Sequence, residues 1–191
     1  MQDVTQLFPV NLDADWSHLS AKDFSSVLAD WLFDAGSLTA RLTARCQEFK
    51  VILLGQQHHT VSAHEACEHI PEGTQVIARE VLLYCDNHPQ VFARSLMPLT
   101  SLTGEEAALS ELGDKPLGQA IFNSPHLTRG DFAVAQFDND SGVASLAKTL
   151  ALPVADALWG RRSIFFLHDK PLAVAEVFLP NAFAYEFKEV S

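Results

Sequence analysis

The chain's 191 residues are 48% hydrophobic and 19% charged, which supplies the apolar surface for one well-buried domain and excludes a disordered or fibrous protein. A formal net charge of −11 excludes a general nucleic-acid or anionic-membrane surface, because either partner needs a basic excess to release counterions or meet lipid headgroups. An anionic ligand must be captured locally, and seven of the 13 basic residues are arginines, whose planar fork suits carboxylates.

In chain order, Asp23 followed by Phe24, Val27, Leu28 and Trp31 predicts a capped amphipathic helix that Asp34-Ala35-Gly36 breaks. Ser37 can cap a second short helix through Leu38, Arg41, Leu42 and Arg45, giving a helical hairpin over an apolar surface. A strand follows from about Phe49 to Val61. Residues 74–85 and 90–99 are β-rich runs joined by the turn formers Asp86-Asn87-His88-Pro89, an antiparallel hairpin. Thr103 with Glu106 reads as a capping box opening a helix that Gly113 stops, and Pro116 starts another through Leu117 to Phe122. Leu127 to Phe137 is a strand. Residues 138–157 read as a surface excursion with a short helix near Ala144 to Leu150. Leu158–Leu167 and Leu172–Leu179 form a second hairpin around His168-Asp169-Lys170-Pro171. Strands in hairpins with helices grouped between them predict an α+β fold, one antiparallel sheet with helices packed on one face.

Two residues put charge where this pattern demands an apolar side chain. Arg79 shares a strand face with Ile77, Val81 and Leu83, and Glu176 lies in Leu172-Ala173-Val174-Ala175-Glu176-Val177-Phe178-Leu179, which is apolar on both faces. Buried charges are costly unless paired, so a functional site or a structural ion pair between strands accounts for them. In an apolar pocket, desolvation favours the acid form of Glu176, which suits a proton donor. Arg94 falls on the Phe92/Leu96 face, and Arg161 and Arg162 must point to opposite faces, so one of those two can reach inward; their roles stay open. Arg129 reads as exposed.

The cluster His58-His59, His64, Cys67, His69 invites a zinc reading, but His64 and His69 are five apart, not the four that places two imidazoles on one helical face. No metal site is expected. Ser163 follows Trp159-Gly160-Arg161-Arg162 without the glycine of a nucleophile elbow. Cys46, Cys67 and Cys85 are odd in number and widely spaced, which fits reduced thiols without a reactive constellation. The start Met1-Gln2-Asp3-Val4 lacks the basic residues and apolar run of a secretory signal, and no stretch reaches about 18 uninterrupted apolar residues, so a cytoplasmic protein without stable membrane insertion is expected.

Six segments in order, Leu32-Phe33-Asp34-Ala35-Gly36-Ser37-Leu38-Thr39, Ala78-Arg79-Glu80-Val81-Leu82-Leu83, Lys115-Pro116-Leu117-Gly118, Leu127-Thr128-Arg129, Leu158-Trp159-Gly160-Arg161-Arg162-Ser163 and Ala175-Glu176-Val177-Phe178-Leu179-Pro180, together resemble the chorismate pyruvate-lyase family over about residues 28 to 180. The resemblance implies a single domain over residues 1–191, an antiparallel sheet with helical flaps over a buried ligand, and an enzyme that converts chorismate to 4-hydroxybenzoate and pyruvate for ubiquinone synthesis. It implies no metal or organic cofactor, and a monomer is expected. Carried over by resemblance, Arg79 holds the ring carboxylate and Glu176 meets the ring hydroxyl, both as catalytic residues. Leu38, at a position commonly methionine in the family, and Leu117 line the ligand from the flaps. The stretch 138–157 looks longer than the family pattern. The alternatives are a non-catalytic sensor of aromatic carboxylates on a related sheet, and an interaction module whose buried ion pair needs no ligand.

Overall fold

The central strands are buried along nearly their whole length, because both faces of the sheet they form are covered. The computed structural model describes residues 4–153 and 155–185; residues 1–3, 154 and 186–191 lie outside them, and with them the first residues read above for a secretory signal and both ends of the single-domain span. Among the described residues, β1 (Phe49–Thr60), β2 (Gln75–Cys85), β3 (His88–Pro98), β4 (Leu127–Phe137), β5 (Leu158–Leu167) and β6 (Lys170–Phe178) form one sheet in the order β1-β2-β3-β6-β5-β4. Every neighbouring pair is antiparallel.

Both predicted hairpins form, with tighter turns than expected. Asp86 and Asn87 have φ of 49° and 65°, and His168 and Asp169 have φ of 48° and 63°. Positive φ at both central residues gives the two-residue turn whose twist matches the flanking strands. Cys85 therefore pairs directly with His88, and Leu167 with Lys170, so β3 and β6 each start two residues earlier than the composition suggests.

One face is covered by α1 (Ser26–Leu32), α2 (Leu38–Thr43) and α3 (Leu117–Phe122). Helices of six or seven residues are too short to persist alone, so their stability comes from packing. Leu28, Trp31 and Leu32 of α1 and Leu38 and Leu42 of α2 bury against Val81, Leu83, Val91, Ala93 and Phe178, each large side chain contributing about 1.5–3 kcal/mol. Leu117 and Ile121 of α3 pack with Ile77, Met97, Phe165 and Val174. The other face carries Leu82, Phe92, Ala175 and Val177, and here the N-terminal segment and α4 (Gly142–Thr149) complete the core through Leu12, Val143 and Leu146. The α+β class and the single antiparallel sheet hold, and residues 138–157 add a helix to the second face instead of a surface excursion.

Capping explains the helix starts. Ser37 accepts from the Ala40 N–H, as predicted, but Ser25 rather than Asp23 caps α1, through the Leu28 N–H. Asp23 instead completes a capping box with Ser20 on a 3₁₀ turn. The box predicted at Thr103 is absent too: Thr103 makes no side-chain cap bond, and residues Gly104–Glu111 are a 3₁₀ helix. Glu106 turns away to meet Lys170 Nζ at 2.7 Å and His168 Nδ1 at 2.8 Å. No helix among the described residues is long and apolar enough to cross a membrane.

Candidate active site

Arg79 lies mid-β2 on the face covered by α1 to α3 and is 1% exposed. Its Nη2 donates to the carbonyls of Gly113 and Lys115, each at 2.9 Å, in the loop that leads into α3. Among the described residues, its buried Nε has no hydrogen-bond partner. Burial pushes the guanidinium down to about 10, opposed by Asp114, so it stays charged at neutral pH. A guanidinium that lines a cavity and keeps an unspent N–H can take an incoming anion.

Glu176 lies mid-β6 on the same face, but it is not isolated among aliphatic groups and does not pair with Arg79. The register sets Arg161 of β5 directly opposite it, and Arg161 Nε donates to Glu176 Oε2 at 2.7 Å. Arg161 is 1% exposed, and its Nη1 also donates to the carbonyls of Trp31 and Asp34 at 2.8 and 2.9 Å. Strand β3 separates Arg79 from Glu176. Ser95 faces Arg79 and Ala93 faces Glu176, so the two residues stand two strand spacings apart across the sheet and two residues apart along it, about 12 Å between backbones, with only small side chains between.

That gap is the floor of a cavity with about 530 Å³ of space not filled by atoms, counted out to its mouth. Val81, Leu83 and Val174 supply its sheet wall, and Leu38, Leu117 and Ile121 its helical wall. Leu38 and Leu117 are the first residues of α2 and α3, 5% and 6% exposed, and both line this cavity. The two helices meet closely: a Cβ on Gly118 would lie 3.0 Å from Thr39 Oγ1.

Arg129 is the cavity residue that sequence reasoning missed. It is half-buried rather than exposed, and burial, with repulsion from Arg161 next, lowers its guanidinium to about 10. Its Nε and Nη2 donate to Ser163 Oγ at 3.2 and 2.8 Å, and Nη1 donates to the carbonyls of Asp34, Ala35 and Gly36. A bulge between Arg129 and Phe132 explains the miss. Strict alternation sets residues three apart on opposite faces, whereas the extra residue turns Arg129 to the same side, 4.1 Å over the Phe132 ring. Ser163 is thus an acceptor for Arg129. Among the described residues lining the cavity, three guanidiniums, of Arg79, Arg129 and Arg161, face the single carboxylate of Glu176.

The remaining sequence candidates lie behind the sheet. Arg94 donates to Glu65 Oε1 through Nε and Nη2 at 2.9 and 2.7 Å, and to Glu80 Oε1 through Nη1 at 2.6 Å. Glu80 also accepts the N–H groups of Val10 and Asn11. His59 Nε2 meets Glu65 Oε2 at 2.6 Å. Burial alone would raise the Glu65 carboxyl, but His59, the Ser62 N–H and Arg94 together pull it down to about 2. Arg162 donates to the carbonyls of Glu65 and Ala66 and lies over the Trp16 ring. Neither Arg94 nor Arg162 lines the cavity.

An antiparallel sheet with a cation-rich, largely apolar cavity beneath short helices is an arrangement able to take up a small anion. Solved structures share the fold: a GntR-family transcriptional regulator from Bacillus cereus superposes with TM-score 0.51 at 19% identity, covering 76% of this chain and 99% of that one. The ligand-binding domain of a putative GntR-family regulator from Bordetella bronchiseptica gives 0.52 at 18%, covering 71% and 86%. Sequence comparison goes further. The family model described as "Chorismate lyase" matches residues 12–188. A "Probable chorismate pyruvate-lyase" of Pseudoalteromonas translucida (strain TAC 125) is 42% identical over 179 residues, 93% of this chain and 98% of the relative. Another of that name, from Psychromonas ingrahamii (strain DSM 17664 / CCUG 51855 / 37), is 40% identical over 184 residues, 96% and 98%. The chain belongs to the chorismate lyase family and is an enzyme of the lyase class.

Proposed function

We propose that the protein eliminates pyruvate from chorismate to give 4-hydroxybenzoate, supplying ubiquinone synthesis, and that it works as a cytoplasmic monomer of one domain without metal or organic cofactor. The names of the relatives support the substrate. The observation that carries the reading is the charge of the cavity: three guanidiniums against one carboxylate leave an excess of positive charge that matches a dianion.

The substrate supplies the thermodynamic drive. Breaking the ether bond to the enolpyruvyl group, with loss of the hydrogen on the hydroxyl-bearing carbon, leaves an aromatic ring, and the enolpyruvate released ketonises to pyruvate. The enzyme needs no nucleophile and no Lewis acid; it orients the dianion, stabilises charge on the departing oxygen and excludes water. Arg79 takes the ring carboxylate with its unspent Nε, and Glu176 accepts the ring hydroxyl. Because Arg161 grips Glu176, the carboxylate is a positioned acceptor, and the proton-donor role expected from an apolar setting gives way to this one. Arg129 takes the enolpyruvyl carboxylate. Leu38 and Leu117 clasp the ring, with α2 and α3 as flaps, so release of a product that keeps the ring carboxylate slows turnover.

Incubating purified, exhaustively chelated protein with chorismate and following 4-hydroxybenzoate and pyruvate by chromatography tests the proposal; equimolar products are expected. The shared fold with regulator ligand-binding domains favours one alternative, a sensor, which predicts saturable binding of 4-hydroxybenzoate and no products from chorismate.

A further inference from the structure

Cys46 lies in the connection between α2 and β1, and Cys85 ends β2. Far apart in sequence, their sulfurs are 2.7 Å apart. That is inside van der Waals contact and within about 0.7 Å of the sulfur–sulfur bond length. Both thiols donate to one acceptor, the Leu42 carbonyl in the last turn of α2, at 3.3 and 3.5 Å. Cys85 is 2% exposed and Cys46 is half-buried, so an oxidant reaches the pair through Cys46. Neither thiol lines the cavity, and the elimination uses neither.

We propose that Cys46 and Cys85 are a modification site, a thiol pair that hydrogen peroxide converts to a disulfide fastening the C-terminal end of α2 to the sheet. Peroxide oxidises the Cys46 sulfur to sulfenic acid with release of water. The Cys85 sulfur then displaces hydroxide from the Cys46 sulfur, the Cys85 proton leaving with it as a second water. One peroxide and two thiols give one disulfide and two waters, two electrons passing from the sulfurs to the peroxide oxygens, and a dithiol reductant reverses the step. Cys46, the more exposed of the two, meets peroxide first, and buried Cys85, whose thiol burial pushes up to about 12, is placed against the Cys46 sulfur to resolve the sulfenic acid.

The bond has a mechanical consequence. Helix α2 is a six-residue lever with Leu38, a wall of the cavity, at one end and Leu42, which both sulfurs contact, near the other. Tying Cys46 to the rim of β2 restrains that lever, and with it access to the cavity; the effect on ligand exchange rests on the function proposed above.

The test treats the full-length protein with hydrogen peroxide, alkylates remaining thiols under denaturing conditions and maps peptides by mass spectrometry. The expected product is a Cys46–Cys85 cross-link that dithiothreitol removes, with Cys67 alkylated and no cross-link in Cys46→Ser. Alkylated Cys46 and Cys85 after treatment, or a cross-link to Cys67, overturns the proposal. Hydrogen exchange of the amides of residues 38–46 is the second readout: roughly fivefold slower exchange in the oxidised wild type, but not in treated Cys46→Ser, is expected. Cross-linking with unchanged exchange overturns the tether. Release of preloaded 4-hydroxybenzoate is the third, and it should slow only in the oxidised wild type. Failure of both redox forms to bind 4-hydroxybenzoate counts against the cavity reading alone, since the cross-link and the exchange are scored without ligand.

Discussion

The sheet holds two sets of charges, one on each face, and they differ most in how their hydrogen-bonding groups are satisfied. Behind the sheet, Arg94 sits between Glu65 and Glu80, all three 6% exposed or less, and each guanidinium nitrogen has a carboxylate partner. Beneath the helices, Arg79 and Arg161 are as buried, yet among the described residues Arg79 donates only to backbone carbonyls and leaves its Nε unspent. The closed network, in which every guanidinium nitrogen is spent on a carboxylate, organises the fold. The open one keeps surplus cations, which the proposed function assigns to an anion.

Breaking each set separates the two roles, and the largest effect belongs to the closed one. Arg94→Ala leaves Glu65 and Glu80 buried without their counter-ion, and urea unfolding should show a loss of about 3–5 kcal/mol. Arg79→Ala removes a group whose burial is only partly compensated, so its unfolding midpoint should move little while kcat/KM for chorismate falls by about 10²–10³. Arg79→Lys should recover only part, since an ammonium lacks the planar fork. Glu176→Gln should lower the rate by about 10² with the fold intact. If Arg79→Ala unfolds the protein while catalysis per folded molecule survives, the contrast between the faces is wrong.

Acid sharpens the contrast further. The Glu65 carboxyl is held down to about 2 in the folded protein, against about 4.3 when unfolded, so its stabilisation is complete above the unfolded value and is lost as pH falls from about 4.3 toward 2. Stability measured across that window should decline, and Glu65→Gln, already lacking the charge, should decline less steeply. Equal slopes would remove Glu65 from the acid-sensitive network.

Period-2 alternation was enough to mark Arg79 as buried, and the doubly apolar strand around Glu176 marked that carboxylate, which is half-buried, while the turn formers placed both hairpins. It could not tell Arg79 from its neighbour Glu80, equally buried on the opposite face, since Ala78 and Leu82 make that face apolar as well. Nor could it supply partners. That Arg161 rather than Arg79 meets Glu176 depends on strand order and on the β5/β6 register, which is set by a two-residue turn shorter than the composition suggests. The Cys46–Cys85 contact is equally nonlocal, made where the end of α2 approaches the rim of β2. Arg129 was hidden by the bulge in β4, which inverts the parity that alternation assigns.

Arg129 therefore gives the smallest and most discriminating prediction. Its side chain is tethered to Ser163 and to the turn at Asp34 to Gly36, all neutral partners, so within the open cluster its charge is unmatched by any carboxylate it touches. Chorismate carries two carboxylates and 4-hydroxybenzoate one. If Arg79 takes the carboxylate common to both and Arg129 the one that departs, Arg129→Gln should raise KM for chorismate about tenfold while leaving the inhibition constant of 4-hydroxybenzoate nearly unchanged, the loss of one partly solvated ionic contact. Arg79→Lys should instead weaken both ligands together. Parallel weakening of both ligands by Arg129→Gln would mean that Arg129 only braces the turn between α1 and α2, and that the second carboxylate is met elsewhere in the cavity.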